Sequence, residues 1–394
     1  MKLLWVKADF LHPTTKGGQI RTLETLKRLH QRHEVHYIAL DHAGQPEGLA
    51  RSVEYSTRAY PIPHHVPEKT SVAFAGQLVE GLFSALPVAV SRYRSPEMRR
   101  KIEQLTRSEK FDAIVCDFLF PAQNIPELSR CVLFQHNVEA TIWKRHVEHA
   151  SNLPKRLYFE LQARRMSAHE GEVCRQVKNV IAVSEQDAET MRADYGVQRV
   201  EPVPTGVDLE FFARPAQSER VADLVFLGSM DWMPNIDGME WFTAEVLPLI
   251  RKKRPECTLA IVGRKPAALI EDLANGDPLI RVTGTVPDVR PYLWGSAVSI
   301  VPLRIGGGTR LKIYEAMAAR IPVVSTAIGA EGLDVRAGEN IFIADRPQDF
   351  AERCLALLED PTLVCRMASS AWEMIAERYS WEVVSRKFEE LLMI

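Results

Sequence analysis

Short apolar runs alternate with segments of helical period along nearly the whole chain. In the first half the runs are Leu3–Ala8, Val35–Leu40, Ala113–Asp117, Val132–Gln135 and Val180–Ser184. In the second half they are Leu224–Gly228, Leu259–Gly263, Ile280–Gly284, Val298–Pro302, Pro322–Ser325 and Ile341–Ala344. Continuous rather than alternating apolar runs predict strands buried on both faces, as in a parallel sheet covered by helices. The intervening segments carry a helical stripe. Ile20, Leu23, Leu26 and Leu29 share one face, while Arg21, Lys27 and Arg28 lie on others. Strand and helix taken in turn predict a doubly wound α/β architecture.

The alternation is interrupted once. PVPTGVDLEFFARPAQSE, near Glu201–Gln217, has three prolines, a Thr-Gly turn signal and no clear period, and the pattern restarts at LVFLGS. A chain of 394 residues exceeds what one core usually serves. We therefore expect a Rossmann-like domain over residues 1–205, a second over 206–375, and a closing helical segment over 376–394. Two such sheets facing each other would leave a cleft at their carboxyl edges, where phosphate-bearing ligands bind.

Composition narrows the function classes. Lys and Arg total 49 against 51 for Asp and Glu, a net charge of -2, which argues against a dedicated nucleic-acid binder. The six cysteines, at 116, 131, 174, 257, 354 and 365, form no C-x-x-C pair, so neither a zinc site nor a disulfide scaffold is expected. MKLLWVKADF meets Lys7 and Asp9 too soon for a signal peptide, and Val72–Ser91 is broken by Gln77, Glu80 and Pro87. A cytoplasmic protein is expected. Arg92, Arg94, Arg99, Arg100 and Lys101 follow that apolar stretch, and Lys144, Arg145, Lys155, Arg156, Arg164 and Arg165 cluster later. These cations fit either a solvated face or peripheral contact with an anionic membrane leaflet.

The densest chemistry lies at Arg304-Ile305-Gly306-Gly307-Gly308-Thr309-Arg310-Leu311-Lys312-Ile313-Tyr314-Glu315. A strand leads into three glycines and then a strong helix-forming run. Glycines leave backbone amides open to close approach, and a helix N-terminus favours an anion, so a diphosphate is expected here. Arg304, Arg310 and Lys312 add positive charge, and Glu315, further along the helix, suits ribose hydroxyls. A plain loop followed by an ordinary Lys312–Glu315 surface pair is the competing reading. Arg264 and Lys265 directly follow the strand ending at Gly263 and are further phosphate candidates.

GGGTRLKIYEAMAARIPVVST resembles the nucleotide-sugar signature of glycosyltransferase family 4, retaining enzymes of the GT-B fold. PTTKGGQIR, FQHNVEA, VIAVSEQDAE, PVPTGVDLEFF, LVFLGSMDWMPN and LAIVGRKP agree in order, so the likeness covers essentially the whole chain. The resemblance implies metal-independent transfer from a UDP- or GDP-sugar to a glycan or lipid-linked acceptor, without a cofactor, and a last helix that braces the N-terminal domain. It implies that Gly17 and Gly18 lie near the diphosphate and the acceptor, with Arg21 and Glu139 in the acceptor region. It implies that His136 stands beside the transferred sugar and that Val286 lines the nucleobase pocket. Glu315 matches the second glutamate of the family's paired-glutamate motif, whereas the first is replaced by Gly307. Backbone N–H groups of Gly307 and Gly308, then Arg304, are the expected substitutes. The loop Gly228–Asn235 also lacks the Arg and Lys of many relatives, so the phosphates must be met by Arg264, Lys265, Arg310, Lys312 or helix N-termini. Two alternatives stay open: a sugar-nucleotide 2-epimerase of the same fold, and a non-catalytic nucleotide-sugar or partner-binding protein.

Overall fold

A computed structural model describes residues 1–14, 17–42, 46–65, 84–148, 152–305 and 310–394. The chain divides into an N-terminal unit, Met1–Thr205 with Val384–Ile394, and a C-terminal unit, Gly206–Val383.

The N-terminal unit is built on seven parallel strands: β1 (Lys2–Lys7), β2 (Glu34–His42), β3 (Arg58–His64), β4 (Ala113–Asp117), β5 (Cys131–Phe134), β6 (Asn179–Ala182) and β7 (Val200–Pro202). They lie in the order β3-β2-β1-β4-β5-β6-β7. The order reverses between β1 and β4, whose Val6 and Cys116 are paired, and such a switch point opens a crevice at the strands' carboxyl ends. Leu3, Leu4, Trp5 and Val6 are fully buried, as expected of a strand covered on both faces.

The C-terminal unit repeats the plan with β8 (Ala222–Leu227), β9 (Leu259–Val262), β10 (Ile280–Val282), β11 (Ser296–Val301), β12 (Val323–Ser325) and β13 (Phe342–Ile343). The order β10-β9-β8-β11-β12-β13 is again all parallel, and its reversal falls between β8 and β11.

Every apolar run read from the sequence became a strand. Most stop a residue or two early, which places Gln135, Gly228, Gly263 and Pro302 on the loops at the carboxyl edges. Two strands, β3 and β7, carry prolines in RAYPIPH and VEP, and both are sheet edges. An edge strand can spare the amide that proline lacks, so its sequence need not look like a strand.

The final helix is Trp381–Met393, and Val384 onward belongs to the N-terminal unit. The expected closing segment, 376–394, starts too early, because the helix Pro361–Arg378 runs on before the break at Tyr379. Phe388 stacks on Trp5 at 5.7 Å and meets Phe134 edge-on at 4.8 Å. Among the described residues, no helix is long and apolar enough to cross a membrane.

Candidate active site

The carboxyl ends of β1 and β4 carry Lys7 and Asp117, and His136 follows β5 by two residues. Asp117 is fully buried and accepts four hydrogen bonds. Its Oδ1 receives Lys7 Nζ at 2.6 Å and His136 Nε2 at 2.7 Å. Its Oδ2 receives Trp5 Nε1 at 2.7 Å and Thr22 Oγ1 at 2.8 Å. Burial alone would push this carboxyl's pKa up, but Lys7 and His136 overcome it and hold it well below the usual range. Burial has the opposite effect on His136. Its pKa falls to about 4 despite the carboxylate beside it, so the imidazole is neutral at physiological pH.

Gly18 lies in the first turn of the helix Gly17–His30, against the His136 ring. A Cβ there would be 3.7 Å from Cγ, an ordinary contact, and a Cβ on Gly17 would meet nothing within 4 Å. The other two N-terminal candidates have structural positions. Arg21 is buried, spends its guanidinium on the carbonyls of Gln135, at 3.2 Å, and Val203, and lies 4.4 Å from the Phe134 ring centroid. Burial lowers its pKa to about 9. Glu139 opens the helix Glu139–Glu148 and is buried, which together with the nearby Glu170 raises its pKa to about 7. Glu170, inside the helix Leu153–Gln176, caps that helix from outside. Its carboxylate accepts the amides of Glu139 and Ala140 at 2.9 Å each, Gln135 Nε2 at 2.6 Å and Tyr195 Oη at 2.7 Å.

In the C-terminal unit, Gly228 follows β8, and the helix Leu311–Ala318 follows the glycine loop. Lys312 Nζ donates to Asn235 Oδ1 at 3.0 Å and lies 4.4 Å from the Phe226 ring centroid. A Cβ on Gly228 would sit 2.9 Å from that Nζ and 2.6 Å from Asn235 Nδ2, so a larger residue would displace these two side-chain ends. Asn235 Nδ2 also donates to the Ser229 carbonyl at 2.8 Å, and Ser229 Oγ accepts from Arg264 Nε at 2.9 Å. The loop after β8, the exposed Arg264 after β9, and Lys312 are thereby linked at one sheet edge. Lys265 beside Arg264 is exposed with a left-handed φ of 49°. Burial, reinforced by Arg310, lowers the Lys312 pKa to about 7, while burial raises that of Glu315 against the pull of Lys312.

Arg310 is buried at the start of the helix, with Trp232 at 5.9 Å, and burial lowers its pKa. Arg304 is held by both oxygens of Asp237, at 2.5 and 3.1 Å, and stays half-exposed. Val286 packs half-buried against the core, on the loop after β10. Gly306, Gly307, Gly308 and Thr309 lie outside the described residues.

The sequence reading passed over Lys7, Asp117, Glu170 and the role of Asn235. A signal existed for three of them. Lys7 and Asp117 are charged residues closing strongly apolar strands, and Glu170 shares a helix stripe with Met166, Val173 and Cys174. Among the described residues, Glu34, His36 and Glu109 group closely enough to suggest a metal site, but Lys2 Nζ already bridges the two carboxylates.

Two sheets of Rossmann order, each with polar side chains gathered at its carboxyl edge, are the architecture of the GT-B glycosyltransferases. Residues 15–211 match the profile described as Glycosyltransferase Family 4, and residues 222–360 the one described as Glycosyl transferases group 1. The chain belongs to glycosyltransferase family 4. An uncharacterized 44.6 kDa protein in the cps region of Klebsiella pneumoniae is 21% identical over 409 residues, covering 99% of each chain. The D-inositol 3-phosphate glycosyltransferase of Nocardioides sp. is 28% identical over 221 residues, a match spanning 49% of this chain and 48% of that protein. Anabaena HepE, solved in complex with UDP, shares the fold at a TM-score of 0.64 and 16% identity, over 100% of this chain and 99% of its own.

Proposed function

We propose that this glycosyltransferase moves a sugar from a nucleoside-diphosphate donor, UDP-linked in the first instance, with retention of configuration and without a metal ion. The observation that carries the reading is the Lys312–Asn235–Gly228 node at the switch point of the C-terminal sheet. An amine, an amide side chain and a helix start gathered at one edge suit a diphosphate, which supports the reading. Arg264 and Arg310 supply the further charge, and Glu315, one turn on from Lys312, takes the ribose. The choice of UDP is supported by HepE, which binds it at the same fold.

The acceptor belongs to the N-terminal unit, near Gly18 and His136. A glycan or lipid-linked sugar fits best, supported by the full-length likeness to a protein of a cps region. Such an acceptor would bring the enzyme to the inner face of the cell membrane as a peripheral protein. Leaving-group stabilisation comes from preorganised amides and cations aimed at the diphosphate, the electrostatic contribution that usually dominates such transfers.

Calorimetric titration with UDP, GDP, ADP and their sugars, with EDTA present, tests the donor side. Tight binding of one nucleotide series, weakened by Glu315→Ala, is expected. Binding without turnover across a broad acceptor panel would favour a non-catalytic protein, and no binding at all would sink the transferase reading.

A further inference from the structure

The Asp117 carboxylate decides which nitrogen of His136 carries a proton. Four donors converge on it, Lys7 among them, so it is ionised and can only accept. His136 Nε2 lies 2.7 Å from its Oδ1, a distance that requires a proton between them on the nitrogen. The imidazole is wedged between aromatic rings, Phe134 at 4.6 Å and Phe118 at 5.4 Å. Its side chain is 9% exposed, and Nδ1 finds no hydrogen-bond partner among the described residues. In a neutral ring protonated at Nε2, Nδ1 offers only a lone pair. A buried acceptor left unmet is costly and demands an explanation. Gly18 faces that flank of the ring, where a Cβ would stand 3.9 Å from Nδ1.

We infer that Asp117 is a positioning residue that locks His136 in its Nε2–H form, so that Nδ1 accepts a hydrogen bond from a hydroxyl of the sugar substrate. The inference rests on the proposed placement of His136 beside the reacting sugars. Lys7, Trp5 and Thr22 hold the lock in turn, since they fix both carboxylate oxygens. The charged groups facing the ring divide. Asp117 favours an imidazolium, whereas Lys7, Arg21 and burial oppose it. His136 therefore recognises a hydroxyl as an acceptor and gives up no proton from Nδ1. A site built to accept from a hydroxyl discriminates against a substrate that lacks it, because its buried nitrogen is then left unpaired.

The test is nitrogen NMR of the full chain labelled at histidine, with the His136 signals assigned by their loss in His136→Asn. Expected is an unprotonated Nδ1 and a protonated Nε2 at neutral pH. A protonated Nδ1, whether from the other tautomer or from an imidazolium, would overturn the inference. The double variant Lys7→Met with Asp117→Leu removes the lock together with the lysine bonded to it, and leaves Asp187 as the carboxylate acting on the buried Arg21. It should lose the single-tautomer signature and about tenfold in kcat, the worth of one hydrogen bond, while UDP affinity is unchanged. A folded double variant that keeps both the signature and the kcat would refute the lock. If that variant fails to fold, the wild-type spectrum still decides. The spectrum is read without substrate, so a protein of the expected tautomer that transfers no sugar would count against the proposed function alone.

Discussion

Lys312 is a cation placed where its charge is hard to keep. Burial and Arg310 bring its pKa to about 7, and its Nζ lies 4.4 Å from the Phe226 ring centroid. A bound diphosphate favours the charged amine, so binding raises that pKa and takes up a proton. UDP affinity should therefore be greatest below about pH 7 and weaken as the pH rises through and above it. Titrations in buffers of different ionisation enthalpy would read the proton uptake, and Lys312→Gln should flatten the pH dependence. If the Gln variant keeps it, the proton goes elsewhere. Stability has its own sign. The folded pKa lies below the unfolded one, so this lysine makes folding more favourable as pH rises from about 7 toward about 10.4. Gly18 offers a cleaner probe, because an added methyl would make only ordinary contacts and the residue sits in a helix. Gly18→Ala should match or exceed wild-type stability by up to about 1 kcal/mol, yet lower kcat by filling space a ligand would use beside His136. Unchanged turnover would mean that no ligand uses that gap.

At the scale of elements, two loops of the C-terminal unit cross so closely that a Cβ on Gly263 would stand 1.7 Å from the Gly228 carbonyl oxygen. Backbone on backbone cannot yield as a side chain can, so Gly263→Ala should cost about 3 kcal/mol or more, read from the urea midpoint. Glu170 plays the equivalent part in the N-terminal unit, since it ties Gln135, Tyr195 and the start of the helix Glu139–Glu148 together. Glu170→Ala strands four donors and should cost about 2–4 kcal/mol, with hydrogen exchange rising first in that helix. The sequence displayed these elements unevenly. Runs such as Leu224–Gly228 announce a covered strand because burial on both faces demands continuous apolarity. RAYPIPH hides one because an edge strand answers to fewer constraints. Candidate site residues divide the same way. Gly18, His136, Lys312 and Glu315 sit in local motifs that a reader of one segment can find. Asp117 gains its meaning from Lys7, which is 110 positions away and adjacent only once β1 and β4 have paired. The role of Asn235 likewise appears only when Lys312, 77 positions on, lies beside it.

Across the whole molecule, chain order and structural membership part company at the end. Val384–Ile394 completes a unit whose other residues end at Thr205, so the intervening C-terminal unit is synthesised before the first core is finished. Phe388, Leu391 and Leu392 are buried, Phe388 lies against Trp5 and Phe134, and Asn179 Nδ2 donates to the Leu391 carbonyl at 3.0 Å. Glu389 adds contacts to Arg32 and His33 at 2.6 and 2.9 Å. The segment is thus part of the first core rather than a tail. Removing one large ring from such a site costs about 3–5 kcal/mol, more than a marginal domain easily spares. Phe388→Ala, and more severely deletion of Val384–Ile394, should therefore lower the melting of the N-terminal unit selectively. The C-terminal unit keeps its own core of β8 to β13, so differential scanning calorimetry should resolve a second transition near its wild-type temperature. UDP should raise that second transition and leave the first in place, since a ligand stabilises only the unit that binds it. A single transition moving as one would show instead that the two cores unfold together, and that the helix couples them rather than completing one.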